Sequence, residues 1–431
     1  MNLIKSIKIK LLKIIIRLLL DLSQVNLIVS IFSILLIKQK KNKDCKTLLA
    51  LIPSKFRGDL KILSEKKKFS VIELEEEWLI IFMDYFYPLE VKPKNLYNNE
   101  QKTLKFQKKY HVFLKSFLKK FFLKNEISAV ITADVRYTNT IDFCTVSSKL
   151  RVPWIVLHRE NLYACQSVFN FAKARHSRFK NFTGDRIIVH NLATKKMFVN
   201  SGFVSGQKVD VAGCLRMDKW KKYLSNKQKR VSKKKITLFS YVLWRHTPYP
   251  EKIFSKTHEM FIKFANENPD IRCVIRPKEI FLEKTDWQEK IDRCNYRITD
   301  RKYFPNNLVI DSKTDTHQLI KESIFVVGLN STVLLEAAIA NIPVIIPYFD
   351  EIRKTEYNSK IYFFDSLDCF DLPKNEYEMF KMFEYRINNS QINKKIENKR
   401  KFLFEKYVSK FNVNSLKIYS QLINKEINQI K

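Results

Sequence analysis

The stretch FVVGLNSTVLLEAAIANIPVIIP, running from Phe325 to Pro347, reads as strand, turn, helix, turn, strand. Phe325 to Val327 is an apolar, largely β-branched run, and Gly328 permits the sharp turn that a buried strand needs before a helix starts. Asn330 or Ser331 supplies the N-cap, and Val333, Leu334, Ala337 and Ala338 recur at helical spacing. Asn341 stands where a left-handed C-terminal residue is expected, and Pro343 prevents continuation. Val344 to Ile346 forms the next buried strand.

A helix that opens directly off a parallel strand aims unpaired N–H groups and the positive end of its dipole at whatever lies above the sheet edge, and a phosphate suits that position. Glu336 lies one turn beyond Ser331 and Thr332, where a carboxylate accepts hydrogen bonds from a ribose diol. The local pattern alone fits equally an ordinary capped strand–helix–strand unit whose Glu336 is merely exposed.

At 431 residues the chain exceeds one ordinary core, so two domains are expected, and 45% hydrophobic residues with 33 Phe and 18 Tyr can fill them. The formal charge of +35 invites a nucleic-acid reading, but Lys and Arg are spread through every segment beside abundant Ile, Asn and Phe, as an AT-rich coding bias produces. No helix-turn-helix, zinc-finger or RNP-type pattern accompanies them, so no nucleic-acid partner is expected. A basic surface still favours an anionic membrane face or phosphorylated substrates. The seven cysteines form no CxxC pair and read as reduced core residues of a cytoplasmic protein, and His and Cys show no metal-ligand spacing. Only six glycines occur, which makes Gly58 and Gly328, each just after an expected strand, positions of interest.

Residues 1–45 form an apolar and basic N-terminal segment. Lys10, Lys13 and Arg17 share one helical face while Leu11, Ile15, Leu18 and Leu22 share the opposite one. The uncharged run Leu22 to Ile37 is shorter than the ~20 residues that span a bilayer, and no small-residue cleavage site follows it. An amphipathic helix lying on the inner face of the cytoplasmic membrane is the expectation, with a helical extension packed on the first domain and a signal anchor as the alternatives.

Thr47 to Ile52 opens a first βαβ unit, with Arg57, Gly58 and Asp59 in the first strand-to-helix loop, a candidate acceptor loop that lacks the GxGxxG fingerprint. Ala129 to Thr132 and Val152 to Leu157 are further strands, with Asp134 and Arg136 after the first and His158, Arg159, Glu160 and Asn161 after the second. Carboxyl ends of parallel strands carry the ligands of doubly wound sheets, so Glu160, His158 and Asp134 are the candidate catalytic residues, Glu160 foremost as general base. The Lys-rich stretch 219–235 reads as a linker between a first domain, 46–218, and a second, 236–431. In the second, Cys273 to Ile275 is a strand ending in Arg276 and Lys278, two cations suited to phosphate oxygens. The terminal helix, from about Asn414 to Ile427, has the means to cross back onto the first domain.

Two successive α/β halves, a central linker and a phosphate-suited helix in the second half resemble the GT-B glycosyltransferase architecture: two Rossmann-like, doubly wound domains facing a cleft. Asp185 to Val189 with Gly202, Lys208 to Gly213, and Arg216 to Asp218 resemble the end of the N-terminal domain in bacterial capsule and surface-polysaccharide synthesis proteins. Asp315 to Ile320, Gly328 to Thr332, and Glu336–Ala337 extend the resemblance, which covers roughly residues 46 to 425. It implies donor-phosphate contacts for Asn330, Ser331 and Thr332, a ribose-binding role for Glu336, and stabilisation of the departing nucleotide by Arg276 and Lys278 without a metal. A nucleotide-activated sugar would be co-substrate, with no separate cofactor, and a glycan or lipid-linked molecule the acceptor. The alternatives are a CDP-polyol phosphotransferase, a non-hydrolysing UDP-sugar 2-epimerase and an inactive scaffold. The first loop, with Gly58 alone, and Asn341 in place of the usual Gly depart from the family pattern.

Overall fold

The computed structural model describes residues 2–38, 45–65, 68–90, 101–179, 181–225, 235–240, 251–277 and 304–429. They divide into two compact units, one of Met1–Asn161, Ala172–Asp218 and Asn412–Lys431, the other of Leu162–Phe171 and Lys219–Phe411. Each is an α/β unit built on a parallel sheet, the class expected from the alternation of apolar runs and helical periodicity.

The first unit's sheet contains β1 (Ile37–Lys38), β2 (Thr47–Leu51), β3 (Ser70–Leu74), β4 (Ile127–Thr132), β5 (Trp154–Leu157), β6 (Arg186–Val189) and β7 (Val209–Val211). Their order is β1-β3-β2-β4-β5-β6-β7, parallel throughout except for β1, which runs antiparallel along β3. The inner strands are apolar at nearly every position because both faces are covered; all five residues of β2 are buried. The helix Ser415–Gln429 packs Tyr419, Ile423 and Ile427 into the same core as Leu60, Ile188 and Leu215. It is fixed at its start by Asp218, which accepts from the Leu416 amide at 3.0 Å, and farther on by Glu426, which accepts from Arg186 Nε at 2.8 Å.

The N-terminal segment is partly a component of this core. In the helix Val25–Leu35, residues Ile28, Val29 and Phe32 are buried, and Phe32 stacks on Phe82 with ring centroids 4.7 Å apart. Ser33 accepts from Asn125 of the helix Gln101–Asn125 at 2.9 Å, and β1 then joins the sheet. The preceding helix, Asn2–Asp21, buries Ile16 and Leu20 and leaves Leu11, Ile14, Leu18 and Leu22 more than half exposed. Among the described residues no helix is long and apolar enough to cross a membrane.

The second unit holds β8 (Lys235–Phe239), β9 (Arg272–Arg276), β10 (Leu308–Ile310), β11 (Val326–Gly328) and β12 (Val344–Ile345), all parallel, in the order β10-β9-β8-β11-β12. Of the stretch read as a linker, residues 219–225 belong to the helix Met217–Ser225, while 226–234 lie outside the described residues. Composition misleads there because Trp220 is buried and the Lys221 ammonium is enclosed, donating to Ser409 Oγ at 3.0 Å and the Lys410 carbonyl at 3.2 Å. A second enclosed cation, Arg400, donates to the Ile342 and Cys369 carbonyls, both at 2.9 Å, and so fixes the approach to β12.

Candidate functional site

In the second unit the chain lays β9 and β10 on one side of β8, then β11 and β12 on the other. The strand order thus reverses between β8 and β11, and the carboxyl edge at such a reversal is the place where doubly wound sheets bind ligands. Gly328 ends β11 at that reversal. A Cβ there would stand 3.0 Å from Leu334 Cδ2 and 3.2 Å from the Phe239 carbonyl oxygen, so glycine is favoured by close approach. The reversal of direction falls instead on Asn330, at φ 49°, a left-handed conformation that Asn tolerates. Its amide group donates to the Lys360 carbonyl at 2.6 Å and accepts from the Tyr362 amide at 3.2 Å, so the Asn330 side chain ties two loops together.

Ser331 is the N-cap of the helix Thr332–Ile339, its hydroxyl accepting from the Val333 amide at 3.4 Å, and Asn341 is left-handed at φ 56°, as read from the sequence. Ser331 and Thr332 are half-buried at the start of that helix. One turn on, Glu336 is buried, and its Oε2 lies 2.9 Å from His317 Nε2. The His317 ring stacks on the Trp220 indole, centroids 4.3 Å apart and planes 5° from parallel, and Trp220 Nε1 donates to the Glu336 carbonyl at 3.2 Å. Glu336 Oε1 has no partner among the described residues. The buried carboxylate is thus held by one oxygen, the other being free of partners among the described residues only.

Sequence reasoning named Glu336 but gave His317 and Trp220 no role. His317 lies in the Asp315 to Ile320 run that carries the resemblance but has no role of its own there, and Trp220 sits in what reads as a linker. Arg276 ends β9, two strands from β11 and so roughly 10 Å across the sheet, and its Nη1 donates to the Asp311 carbonyl at 2.9 Å. Lys278 lies outside the described residues.

The first unit's strand order reverses between β2 and β4, which brings the remaining candidates to one edge. Ile52, just past β2, has φ 55°, costly for a β-branched side chain. Arg57 is largely exposed and pairs with Glu75 at 3.1 Å. Gly58 again serves close approach, since a Cβ would lie 3.1 Å from Arg216 Cδ. Asp59 is buried, 3.8 Å from Arg159 Nε and 3.6 Å from Arg216 Nε.

The three catalytic candidates differ in exposure. Asp134 is buried and its Oδ1 accepts from both the Arg136 amide, at 2.9 Å, and Arg136 Nε, at 3.0 Å. Burial alone would raise its pKa, but Arg136 and His158 outweigh that and hold the carboxyl below the usual range. His158 is fully buried against Phe198, and desolvation lowers its pKa to about 4. Glu160 is exposed. Asn161 braces this loop by donating to the His158 carbonyl at 2.6 Å and accepting from the His190 amide at 2.9 Å. Of the three, the Glu160 carboxylate is therefore the one a solvent-borne substrate reaches.

The sequence matches no protein-family model and no curated protein. Solved structures similar to the chain include the S. aureus MnaA–UDP co-structure, at 14% identity over 89% of this chain and 96% of that one, with a TM-score of 0.48. UDP-GlcNAc 2-epimerase from Neisseria meningitidis bound to UDP-GlcNAc is similar at 14% identity over 84% and 98%, TM-score 0.43. Acinetobacter baumannii MurG is similar at 10% identity over 88% and 99%, TM-score 0.43. Likenesses at this level assign no residue of this chain a role.

Three buried imidazoles make stability depend on pH, His176 being lowered to about 4 by burial like the two that follow. Burial lowers His158 and His258 to about 4, whereas in the unfolded chain each titrates near ~6.5. Between those values the unfolded state binds more protons, so stability is full above about pH 6.5 and falls as pH drops toward 4, by up to about 3 kcal/mol per ring. Melting followed from about pH 7 to about pH 5 is expected to lose less stability in His158→Gln than in the wild type. Identical profiles would show that His158 is not held neutral.

Proposed function

We propose that the chain is a GT-B-type glycosyltransferase that moves a sugar from a nucleotide donor to a surface-glycan or lipid-linked acceptor without a metal. The observation that carries this reading is the N-cap Ser331 at the β8–β11 reversal and, one turn on, a Glu336 whose Oε1 has no partner among the described residues. The helix start, with the Ser331 and Thr332 hydroxyls, offers donors to a diphosphate, and Glu336 accepts from the ribose hydroxyls. His317 and Trp220 hold that carboxylate in position, so little ordering remains to be done on binding.

In the reaction proposed, a general base takes the proton of the acceptor hydroxyl as its oxygen bonds to the anomeric carbon, and among the first unit's candidates for that role Glu160 is the exposed one. The bond from that carbon to the donor phosphate breaks, and the nucleoside diphosphate leaves with the electron pair, its charge met by the helix start and Arg276. Asn330 supports this site through the loops it ties. Glu336→Ala is expected to weaken nucleotide affinity at least about tenfold, beyond what its lowered melting temperature accounts for at a temperature where both proteins are folded. Calorimetry with UDP, CDP, GDP and CMP reads this, and equal affinity for the best ligand in both proteins would refute the assignment. Incubation with UDP-GlcNAc alone should give no epimer, because transfer needs an acceptor; turnover under those conditions would mark an epimerase.

We also infer peripheral association with an anionic membrane through the helix Asn2–Asp21. Leu11, Ile14, Ile15, Leu18 and Leu22 make an exposed stripe at helical spacing, with exposed Lys10 and Arg17 on its flank. Leu18→Glu should abolish co-sedimentation with phosphatidylglycerol vesicles. Unimpaired binding by that variant, or none by the wild type, would count against this surface.

A further inference from the structure

We propose that the outer face of the helix Gln101–Asn125 is a docking surface for an anionic phospholipid bilayer, its row of lysines meeting the headgroup phosphates. The proposal extends the membrane reading made above for the helix Asn2–Asp21 and rests on it only for the kind of partner.

Gln101–Asn125 is 25 residues long and contains no Asp or Glu. Packing fixes its inner face. Leu114, Phe117 and Phe121 are buried, and the Phe117 ring lies 5.3 Å from that of Phe32 and 5.1 Å from that of Phe82. The helical period then turns Lys105, Lys108, Lys109, Lys115, Lys119 and Lys120 outward, and all six are exposed. From Lys105 to Lys120 and on to Lys124 the row is about 30 Å long.

No lysine of this row meets a carboxylate among the described residues. Lys120 and Lys124 donate to neutral oxygens of the helix Val25–Leu35, Asn26 Oδ1 at 2.8 Å and Ser30 Oγ at 2.9 Å. Asp142 is buried on the other side of the helix, where Tyr87, Gln107 and His111 each reach it at 2.7 Å. Of the exposed acids on adjoining segments, Asp21 accepts from Tyr85 at 2.8 Å, and Asp84 and Glu126 have partners outside the row.

Other helices of this chain are built differently. Glu251–Glu267, Glu376–Asn388 and Lys394–Tyr407 mix both signs and pair them across a turn, Lys263 with Glu267 at 3.9 Å, Lys381 with Glu384 at 2.8 Å and Lys394 with Glu397 at 3.1 Å. Alternating charge of that kind suits a face turned to water. A row of one sign repels itself, at spacings of four such as Lys105 to Lys109 and Lys115 to Lys119. A layer of phosphates relieves that repulsion.

The apolar side chains beside the row favour a bilayer over a nucleic acid. Leu123, within the row, is 82% exposed, as is Ile34 on the rim of Val25–Leu35 that Lys120 and Lys124 reach. A nucleic-acid backbone offers phosphates and no place for these groups, whereas a membrane interface takes both. Asn2–Asp21 and Gln101–Asn125 both pack on Val25–Leu35, so the apolar stripe and the lysine row flank one exposed rim. An inserted stripe joined to a polybasic face is a two-part anchor.

Co-sedimentation of the full chain with phosphatidylcholine vesicles, pure or mixed with phosphatidylglycerol, tests this. The wild type should bind the mixed vesicles far more tightly and lose that preference as salt rises. Lys108→Gln, Lys115→Gln and Lys119→Gln together should weaken binding to mixed vesicles about a hundredfold, each cation at an anionic surface contributing roughly a factor of five. Their melting temperature should not fall, since no described group depends on these three ammoniums. Equal affinity of the triple variant and the wild type for mixed vesicles, or no preference of the wild type for them, would overturn the proposal. So would a duplex RNA that the wild type binds through these lysines while ignoring the vesicles. Leu18→Glu reports the Asn2–Asp21 stripe separately: loss there beside an unimpaired triple variant condemns the lysine row alone, and the reverse condemns the stripe alone.

Discussion

A Cβ at position 328 would stand 3.0 Å from a Leu334 methyl and 3.2 Å from the Phe239 carbonyl oxygen, a contact tight enough that β11 and β8 pack most easily with glycine there. With only hydrogen at Cα, the end of β11 lies beside Phe239 at the end of β8, while the helix Thr332–Ile339 packs on β11 and β12. The strand order reverses between β8 and β11, so the contact that Gly328 permits lies at that reversal. Ser331 and Glu336 then take their places by helix geometry, one turn apart. Their chemistry follows from the packing of one residue without a side chain.

The same economy appears in the first unit. Glycine is scarce in this chain, and Gly58, just after the first strand-to-helix turn, and Gly328, at the end of β11, both stand at close approaches. Left-handed backbone falls on Gly202 and Gly213 but also on Asn330 and Asn341, which tolerate it, and on Ile52, which does so at a cost. The enclosed Arg216 stem lies where a Gly58 side chain would be. That use of space brings two arginines to one carboxylate at the sheet's carboxyl edge.

What could be read in the sequence is what depends on neighbours along the chain. The β11–helix–β12 unit, its Ser331 cap and the left-handed Asn341 follow from residues within a few positions of one another. The pairing of His317 with Glu336 does not, since it joins residues nineteen apart on two helices, and the Trp220 that stacks on it comes from a Lys-rich stretch with no apolar period. Asp59, Arg159 and Arg216 meet only because the strand order brings β2, β5 and β7 into one sheet. Exposure separates Glu160 from Asp134 and His158, three residues that look alike as polar groups after strands. Charge composition carried little, because cations that are deeply enclosed, Lys221 and Arg400 among them, are spelled like those on the surface.

The central claim is that a nucleoside diphosphate seats on the helix that opens after β11. Amide hydrogen exchange of the full chain, with and without the best-binding nucleotide of a UDP, CDP and GDP set, tests it most directly. The account predicts new protection confined in this unit to residues 328–336 and to the helix bearing His317. Protection that falls elsewhere while these amides exchange unchanged would contradict it.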